Sequence, residues 1–275
     1  MTIKILTDST SDISLIDAQK MDIEIVPLSV NFENEEYIDK YTITNEEFYE
    51  KLKTSRTIPT TTLVNPEKFT EVFNKYADDE IIGIFISSKL SGTFLSAVIA
   101  KEDLHREDIF LIDSETTTIG LALLVEQAVK MKNSGMRAKD IFDLINQLVP
   151  KVELIAIFDT LKYLVKGGRM SNTKGILGSV LGIKPIIRLK NGHLSNIGKE
   201  RGMEKAIKFL IKQIATNSNL DKNMPLAFAY TGYQNRLPSL MVKFTHACEK
   251  KVYSIGSVVG THAGPGAIAV SFFNQ

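Results

Sequence analysis

The 275-residue chain contains a single cysteine, Cys248, so it can form no internal disulfide and no cysteine-rich zinc or iron–sulfur site. Such sparing use of cysteine points to a reducing compartment, the cytoplasm. Excess charge of either sign is also missing. Against 32 Asp and Glu stand 33 Lys and Arg, a net charge of +1, and this argues against a general nucleic-acid binder with its basic surplus. No apolar run approaches the roughly 20 residues of a membrane span. The opening Met1-Thr2-Ile3-Lys4-Ile5-Leu6 passes straight into a strand-like segment with no signal-peptide layout. Common catalytic signatures are absent as well. There is no GxxxxGKS/T phosphate loop, no GxGxxG after the first strand, no GxSxG elbow, and no HExxH or similar ligand spacing for a metal. What is present is ordinary globular composition, 44% hydrophobic and 24% charged, at a length suited to one large α/β domain or two lobes.

Short β-branched runs alternate with helical patterns. Ile3–Thr7 reads as a first strand followed by the polar turn Asp8-Ser9-Thr10-Ser11-Asp12, with Asp12 placed to cap the next helix. Ile23–Phe32 reads as one extended run. Thr44 and Glu47 have capping-box spacing for a helix to about Lys53, and Asn65-Pro66 puts a capping residue before proline at a first helical position. Phe69, Val72, Phe73 and Tyr76 then make one apolar helical face. Strands follow at Ile81–Ile86 and Ile109–Ile112, and Thr118–Lys132 is apolar on most sides, as in a buried helix. This is the rhythm of a doubly wound, mostly parallel sheet. After about Pro150 the pattern changes. Leu154–Phe158 is a strand, Ser171–Gly182 is punctuated by glycine, and Asn191-Gly192 between Ile183–Leu189 and His193–Ile197 signals a hairpin. Met203, Ala206, Ile207, Leu210, Ile211 and Ile214 mark an amphipathic helix. Strand Leu226–Tyr230, a helix over about Leu237–Glu249, strand Val252–Ile255 and the run Ala267–Phe273 complete the chain. The expected division is an N-terminal α/β lobe over 1–150 and a C-terminal α/β lobe over 151–275.

Open α/β sheets bind ligands outside the carboxyl ends of their strands. Here those ends are rich in hydroxyls: Asp8-Ser9-Thr10-Ser11, Ser87-Ser88-Lys89-Leu90-Ser91-Gly92-Thr93, Asp113-Ser114 with Thr116-Thr117-Thr118, and the loop Pro59-Thr60-Thr61-Thr62. One such loop reads equally as a cap or turn. Four together are harder to explain that way, and Ser91-Gly92-Thr93 at a helix start has the makings of a small anion site. The glycines of Lys166-Gly167-Gly168-Arg169 and of Gly260-Thr261-His262-Ala263-Gly264-Pro265-Gly266 could serve turns alone. Arg169 and His262 differ, since both can donate to a carboxylate or phosphate. His105, His193 and His246 read as structural; His262 leaves both readings open.

Taken together, these segments resemble the DegV family of fatty-acid-binding proteins. The resemblance runs nearly end to end, through Thr7-Asp8-Ser9-Thr10-Ser11-Asp12, Ser87–Thr93, Asp113-Ser114, Leu161–Arg169, Gly182-Ile183-Lys184-Pro185 and Gly260–Gly266. It implies two α/β lobes with a long-chain fatty acid between them. It also implies a partner, an ATP-binding fatty acid kinase subunit, to which the acyl carboxylate is presented for conversion to acyl phosphate, a feed into phospholipid synthesis. By motif match, Thr61, Thr62 and Ser91, with the Gly92 N–H, would hold the carboxylate. His262 would lie beside it, Arg169 would belong to the polar network near it, and Arg201 would face the kinase.

No catalytic residue, metal or cofactor beyond the bound fatty acid is implied, and the chain lacks a recognisable ATP site of its own. It departs from the family pattern in three places: Thr61-Thr62-Leu63-Val64 replaces Thr-Ser-Gln-Pro, Phe94-Leu95 replaces Tyr-Gln, and Glu200 and Met203 flank Arg201. Lys166, Arg169, Lys199 and Arg201 are expected to form a basic rim. Two other readings of the same residues are a stand-alone serine hydrolase or acyltransferase using Ser91, His262 and an aspartate such as Asp8, and a lipid carrier with no kinase partner.

Overall fold

The computed structural model describes residues 2–170, 182–217, 219–245 and 249–275. The chain begins β1 (Ile3–Asp8), α1 (Leu15–Lys20), β2 (Ile23–Val26), β3 (Ser29–Phe32), β4 (Glu35–Ile38), α2 (Asn45–Thr54), β5 (Thr60–Thr62) and α3 (Pro66–Lys75). It continues through β6 (Glu80–Phe85), α4 (Thr93–Leu104), β7 (Ile109–Asp113), α5 (Thr118–Asn133) and α6 (Ala138–Leu148). The remainder is β8 (Val152–Ile157), α7 (Lys162–Lys166), β9 (Ile183–Lys190), β10 (His193–Arg201), α8 (Met203–Asn217), β11 (Leu226–Tyr230), α9 (Leu237–Met241), β12 (Lys250–Ser254), α10 (Ser257–Ala263) and β13 (Ile268–Phe273).

Strands β2-β1-β6-β7 form a four-stranded, wholly parallel sheet. Both its faces are covered, because side chains alternate along each strand. Leu6, Ile81 and Phe85 point to one side and cluster with Phe69 and Phe73 of α3 and Ala97 and Ala100 of α4. Ile5, Ile82 and Ile84 point to the other side and cluster with residues of α5 and α6. Helix α5 packs on β1 and β6 and also on β8, β11 and β13 of a second sheet. Contact on both sides is why its sequence is apolar around most of its circumference.

The second sheet has the order β10-β9-β8-β13-β11-β12; only β11 and β12 pair in parallel. Its outer face carries Ile155, Ile157, Ile268 and Val270 against Ile207, Leu210 and Ile214 of α8. Its inner face carries a group of small residues, Ala156, Ala227, Ala229, Ala267 and Ala269, beside larger ones such as Leu154, Leu189 and Phe273. The contrast between faces matters for the site, because small side chains leave space.

Local sequence chemistry accounts for many boundaries. The Thr44/Glu47 box closes with Thr44 N donating to Glu47 Oε2 (2.8 Å) and Glu47 N to Thr44 Oγ1 (3.2 Å). Asn65 Oδ1 accepts from Lys68 N at 3.0 Å, with Pro66 in the first turn of α3. At the β9–β10 hairpin, Asn191 and Gly192 have φ of 50° and 73°, the type I′ arrangement that Asn-Gly favours.

Elsewhere tertiary context changes the expected elements. The run Ile23–Phe32 is two strands: Pro27, which has no N–H to give a ladder, separates β2 from β3. Next in sequence, Leu28 N donates to Ser9 Oγ (3.2 Å). Strand β3 then leaves the parallel sheet and joins β4 and β5 in a small antiparallel sheet, order β4-β3-β5. Thr60–Thr62 is therefore a strand rather than a loop. Asp12 does not cap α1. It has φ 57° and closes a 3-10 turn over Ser9–Ser11, and the cap is Ser14, whose hydroxyl accepts from Asp17 N (3.0 Å). Helix α9 stops at Met241, well short of Glu249. Of the sequence features noted above, residues 171–181 of the glycine-punctuated stretch, His246 and Cys248 lie outside the described residues.

Candidate functional site: an apolar cavity with a polar end

In the parallel sheet, β1 lies between β2 on one side and β6 on the other, so the winding reverses between β1 and β6. Such a switch point leaves a crevice at the carboxyl ends of the strands. Here an apolar cavity lies against that crevice, between Thr10 and Ile86 of the first sheet's loops and the inner face of the second sheet. Leu154, Ala156 and Phe158, spaced by two, form one wall from β8 and its exit. Ala267 and Ala269 at β13, Leu189 and Leu194 of the hairpin, and Val258 and Val259 of α10 add to it. Polar groups concentrate where Thr61, Ser91, Arg169 and His262 meet the cavity.

Each of these four is positioned by a different element. On β5, Thr61 is in register with Val30, and its Oγ1 is hydrogen-bonded to His262 Nε2 at 2.9 Å. His262 lies in the last turn of α10. Burial, then the nearby Arg169 charge, lowers its pKa to about 4, so the ring is neutral at pH 7. Its Nδ1 is buried without a hydrogen-bond partner. Gly167 makes this placement possible, since a Cβ there would stand 2.2 Å from His262 Nδ1. Arg169 is fixed by backbone carbonyls: Nε donates to Leu90 O (3.0 Å) and Nη1 to Gly167 O (2.7 Å). Ser91 Oγ is 3.0 Å from Thr93 Oγ1 and accepts from Thr93 N at 3.3 Å, just before α4.

The other expected site residues stand differently. Thr62 follows Thr61 on a strand, so its side chain takes the opposite face, and its Oγ1 accepts from Asn31 Nδ2 at 2.9 Å. It does not line the cavity. Gly92 is the N-cap residue of α4 and adjoins Ser91 without forming part of the wall. Arg201 is exposed and ends β10 two residues before α8. Seven residues of strand, roughly 23 Å, separate it from Leu194 at the cavity. The extended backbone of β10 thus carries Lys199 and Arg201 away from Arg169, and the four basic residues do not gather at the cavity. Nor is a hydrolase triad assembled. His262 bonds Thr61, not Ser91, while Asp8 accepts from Thr10 N (2.9 Å) and Ile86 N (2.7 Å).

Several groups that matter here are given no site role by the sequence, and Asp39 does not stand out in it at all. The amino end of α10 is held by two buried acids: Asp12 Oδ1 accepts from Gly256 N (2.8 Å), and Asp39 Oδ1 accepts from Ser257 N (3.0 Å) and Ser257 Oγ (2.6 Å). Carboxylates suit a helix amino end, where free N–H groups concentrate. Burial nevertheless pushes the pKa of Asp12 up to about 6, against the pull of Lys40 Nζ at 3.9 Å, and desolvation does the same to Asp8. Thr117 and Thr118 also reach the cavity wall. Both belong to the hydroxyl-rich strand ends noted in the sequence.

Fold and cavity define the class: a mixed α/β protein with an apolar ligand cavity that ends in hydroxyls, an imidazole and a guanidinium. The chain belongs to the DegV family; the family model, described as an uncharacterised protein of the DegV family, matches residues 2–275. A DegV domain-containing protein of Caldanaerobacter subterraneus subsp. tengcongensis is 36% identical over 276 residues, covering 98% of each chain. The structure of a DegV family protein from Thermus thermophilus, described by its fatty acid binding, superposes with a TM-score of 0.91 at 27% identity, covering 100% of both chains. A stearic acid-binding protein from Eubacterium ventriosum matches with a TM-score of 0.87 at 26% identity, over 100% of this chain and 98% of its own. No described helix is long and apolar enough to cross a membrane.

Proposed function

We propose that this protein binds a long-chain fatty acid, with the carboxylate at Thr61, Ser91 and His262 and the acyl chain along the apolar wall. The observation that carries this reading is the cavity itself, apolar along β8, β13 and α10 and polar at the Thr61–His262 end. The fatty acids bound by the Thermus and Eubacterium relatives support it. The energetics agree. Burying the roughly 14 methylenes of a C16 chain is worth on the order of 11 kcal/mol gross at ~0.8 kcal/mol each. A buried carboxylate needs hydrogen-bond donors, which the Thr61 and Ser91 hydroxyls and the adjoining Gly92 N–H would supply, with His262 Nε2–H donating to Thr61 Oγ1 so that the Thr61 proton is left for the ligand. Arg169, fixed close to His262, adds positive charge. Within this reading the division near residue 150 separates two lobes that share the ligand.

The protein would act as a non-catalytic subunit, presenting the carboxylate to a separate ATP-binding kinase subunit that forms acyl phosphate. Arg201, exposed at the end of β10, is the residue proposed to face that partner. Native mass spectrometry of freshly purified protein should show a bound fatty acid. After delipidation, a long-chain fatty acid should bind, and Thr61→Val or Ser91→Ala should weaken it about tenfold, the worth of one hydrogen bond to a charged group. Thr62→Val should stay within twofold. Failure of any fatty acid to co-purify or rebind would end the reading. Unchanged acyl phosphate output from Arg201→Ala with a kinase subunit would remove the partner assignment alone.

A further inference from the structure

Helix α10 lies in the second half of the chain, yet the first half holds its start. The consecutive residues Ser254, Ile255, Gly256 and Ser257 each bond a side chain from that half. Asn45 Nδ2 donates to Ser254 O (3.1 Å) and the Tyr49 hydroxyl to Ile255 O (3.0 Å). Gly256 N donates to Asp12 Oδ1, and both Ser257 N and Ser257 Oγ donate to Asp39 Oδ1. Gly260 then lets the helix lie close on α2, since a Cβ there would stand 2.6 Å from the Tyr49 hydroxyl oxygen and 2.7 Å from the Phe48 ring. Asp39 differs from the other three anchors in its connection to the site. It directly follows β4, and its N–H donates to Leu28 O (3.0 Å) beside β3, so it extends the small β4-β3-β5 sheet. Thr61 sits on β5 of that same sheet, and α10 packs on β3 and β5. One sheet thus grips α10 at two points. Asp39 holds Ser257, the first residue of the helix, and Thr61 meets His262 in the last turn, five residues or roughly 7.5 Å of helix rise further on. Asp39 is 1% exposed and does not line the cavity. A carboxylate is costly to bury, whereas groups that must meet within a fraction of an ångström need supporting hydrogen bonds of this kind.

We propose that Asp39 is a positioning residue for the carboxylate end: by tying the start of α10 to the small sheet, it places the His262 ring against Thr61 of the same sheet. Fatty acid affinity then depends on a side chain that touches neither the ligand nor the cavity. This role rests on the fatty-acid reading above. Only with His262 Nε2–H donating to Thr61 Oγ1 is the Thr61 proton free for the carboxylate, so a displaced α10 costs the ligand a donor.

The test pairs calorimetric titration of delipidated protein with tetradecanoic acid and proton–nitrogen NMR of the histidine side chains, in which the hydrogen-bonded His262 Nε2–H gives its own signal. Asp39→Ala should weaken tetradecanoic acid tenfold or more and abolish or shift that signal. Asp39→Asn keeps an oxygen that can accept from Ser257, and should restore the signal and bring affinity back within threefold. If Asp39→Ala does not fold, Ser257→Ala removes one of the two bonds, and should weaken binding about threefold and shift the same signal. An unchanged signal overturns the positioning role, even where affinity falls, because the loss then comes from general loosening of the fold. Wild-type affinity with a displaced signal overturns it as well, since the ring's place would not matter to the ligand. If the wild type binds no tetradecanoic acid, the fatty-acid reading fails, while the NMR comparison still shows whether Asp39 places His262.

Discussion

Ala156 offers the most direct check on where an acyl chain would run. It sits on β8 opposite Ala269 of β13, and both line the cavity. Replacing Ala156 with leucine adds three carbons on the cavity side. A chain that fills the cavity must give up about three buried methylenes, or roughly 2.4 kcal/mol at ~0.8 kcal/mol each, close to a 50-fold rise in Kd. An eight-carbon acid that need not reach Ala156 should lose little. Stability should respond in the unusual direction. Extra methylenes in a close-packed core destabilise by ~1–3 kcal/mol, but here they enter open space, so the melting temperature of the unliganded protein should hold or rise. The assay is calorimetric titration with saturated acids from C8 to C18, paired with scanning calorimetry. A lower melting temperature together with an equal loss of affinity at every chain length would refute the reasoning. It would mean that Ala156 faces packed protein.

Two further outcomes follow from the polar end. Gly167→Ala should displace the His262 ring, because the new Cβ would stand 2.2 Å from Nδ1. Fatty acid affinity should fall tenfold or more while the melting temperature changes little, and an unaltered Kd would show that His262 is not a ligand group. The second concerns pH. His262 has a folded pKa of about 4 against about 6.5 for an unfolded histidine, so below pH 6.5 the unfolded chain takes up a proton the folded one refuses. Its contribution to stability is present above pH 6.5 and is lost as pH falls toward 4. Asp8 and Asp12 act in the opposite sense: with folded pKa values of about 6, they stabilise the acid form, and that contribution is lost as pH rises through 6. Comparing wild type with His262→Asn isolates the histidine. The wild type's stability relative to the variant should fall by roughly 2–3 kcal/mol between pH 7 and pH 4.5, measured by urea unfolding. Parallel profiles would place the imidazole in contact with solvent.

The parts of the fold that were legible in the sequence were those with local causes. The capping box at Thr44 and Glu47, the Asn65-Pro66 start of α3 and the Asn191-Gly192 turn each depend on a few neighbouring residues. The all-round apolar character of α5 revealed its burial, though not the two sheets it lies between. At Asp12 and Thr62, expectation and structure part because of a distant partner. Asp12 carries the composition of a helix cap, but Gly256, 244 positions away, gives its carboxylate a buried N–H to accept. Thr62 carries the same hydroxyl as Thr61, and pairing with β3 turns it toward Asn31 instead of the cavity.

The site divides in the same way. Sequence alone supplied the chemical inventory: hydroxyl-rich loops at the strand ends, Arg169 and His262 among glycines, and no metal or nucleotide signature. It also supplied the family through motifs spread over the whole chain. The tertiary structure decided which of those groups meet. It brings Thr61 within 2.9 Å of His262, 201 positions later, and it seats the last strand, β13, between β8 and β11 so that Ala267 and Ala269 face the cavity. Hydroxyls and imidazoles are specified residue by residue, whereas an enclosed volume is specified by the side chains that are missing from it. That space arises only where small residues of different strands fall on the same face, a coincidence set by sheet order and register.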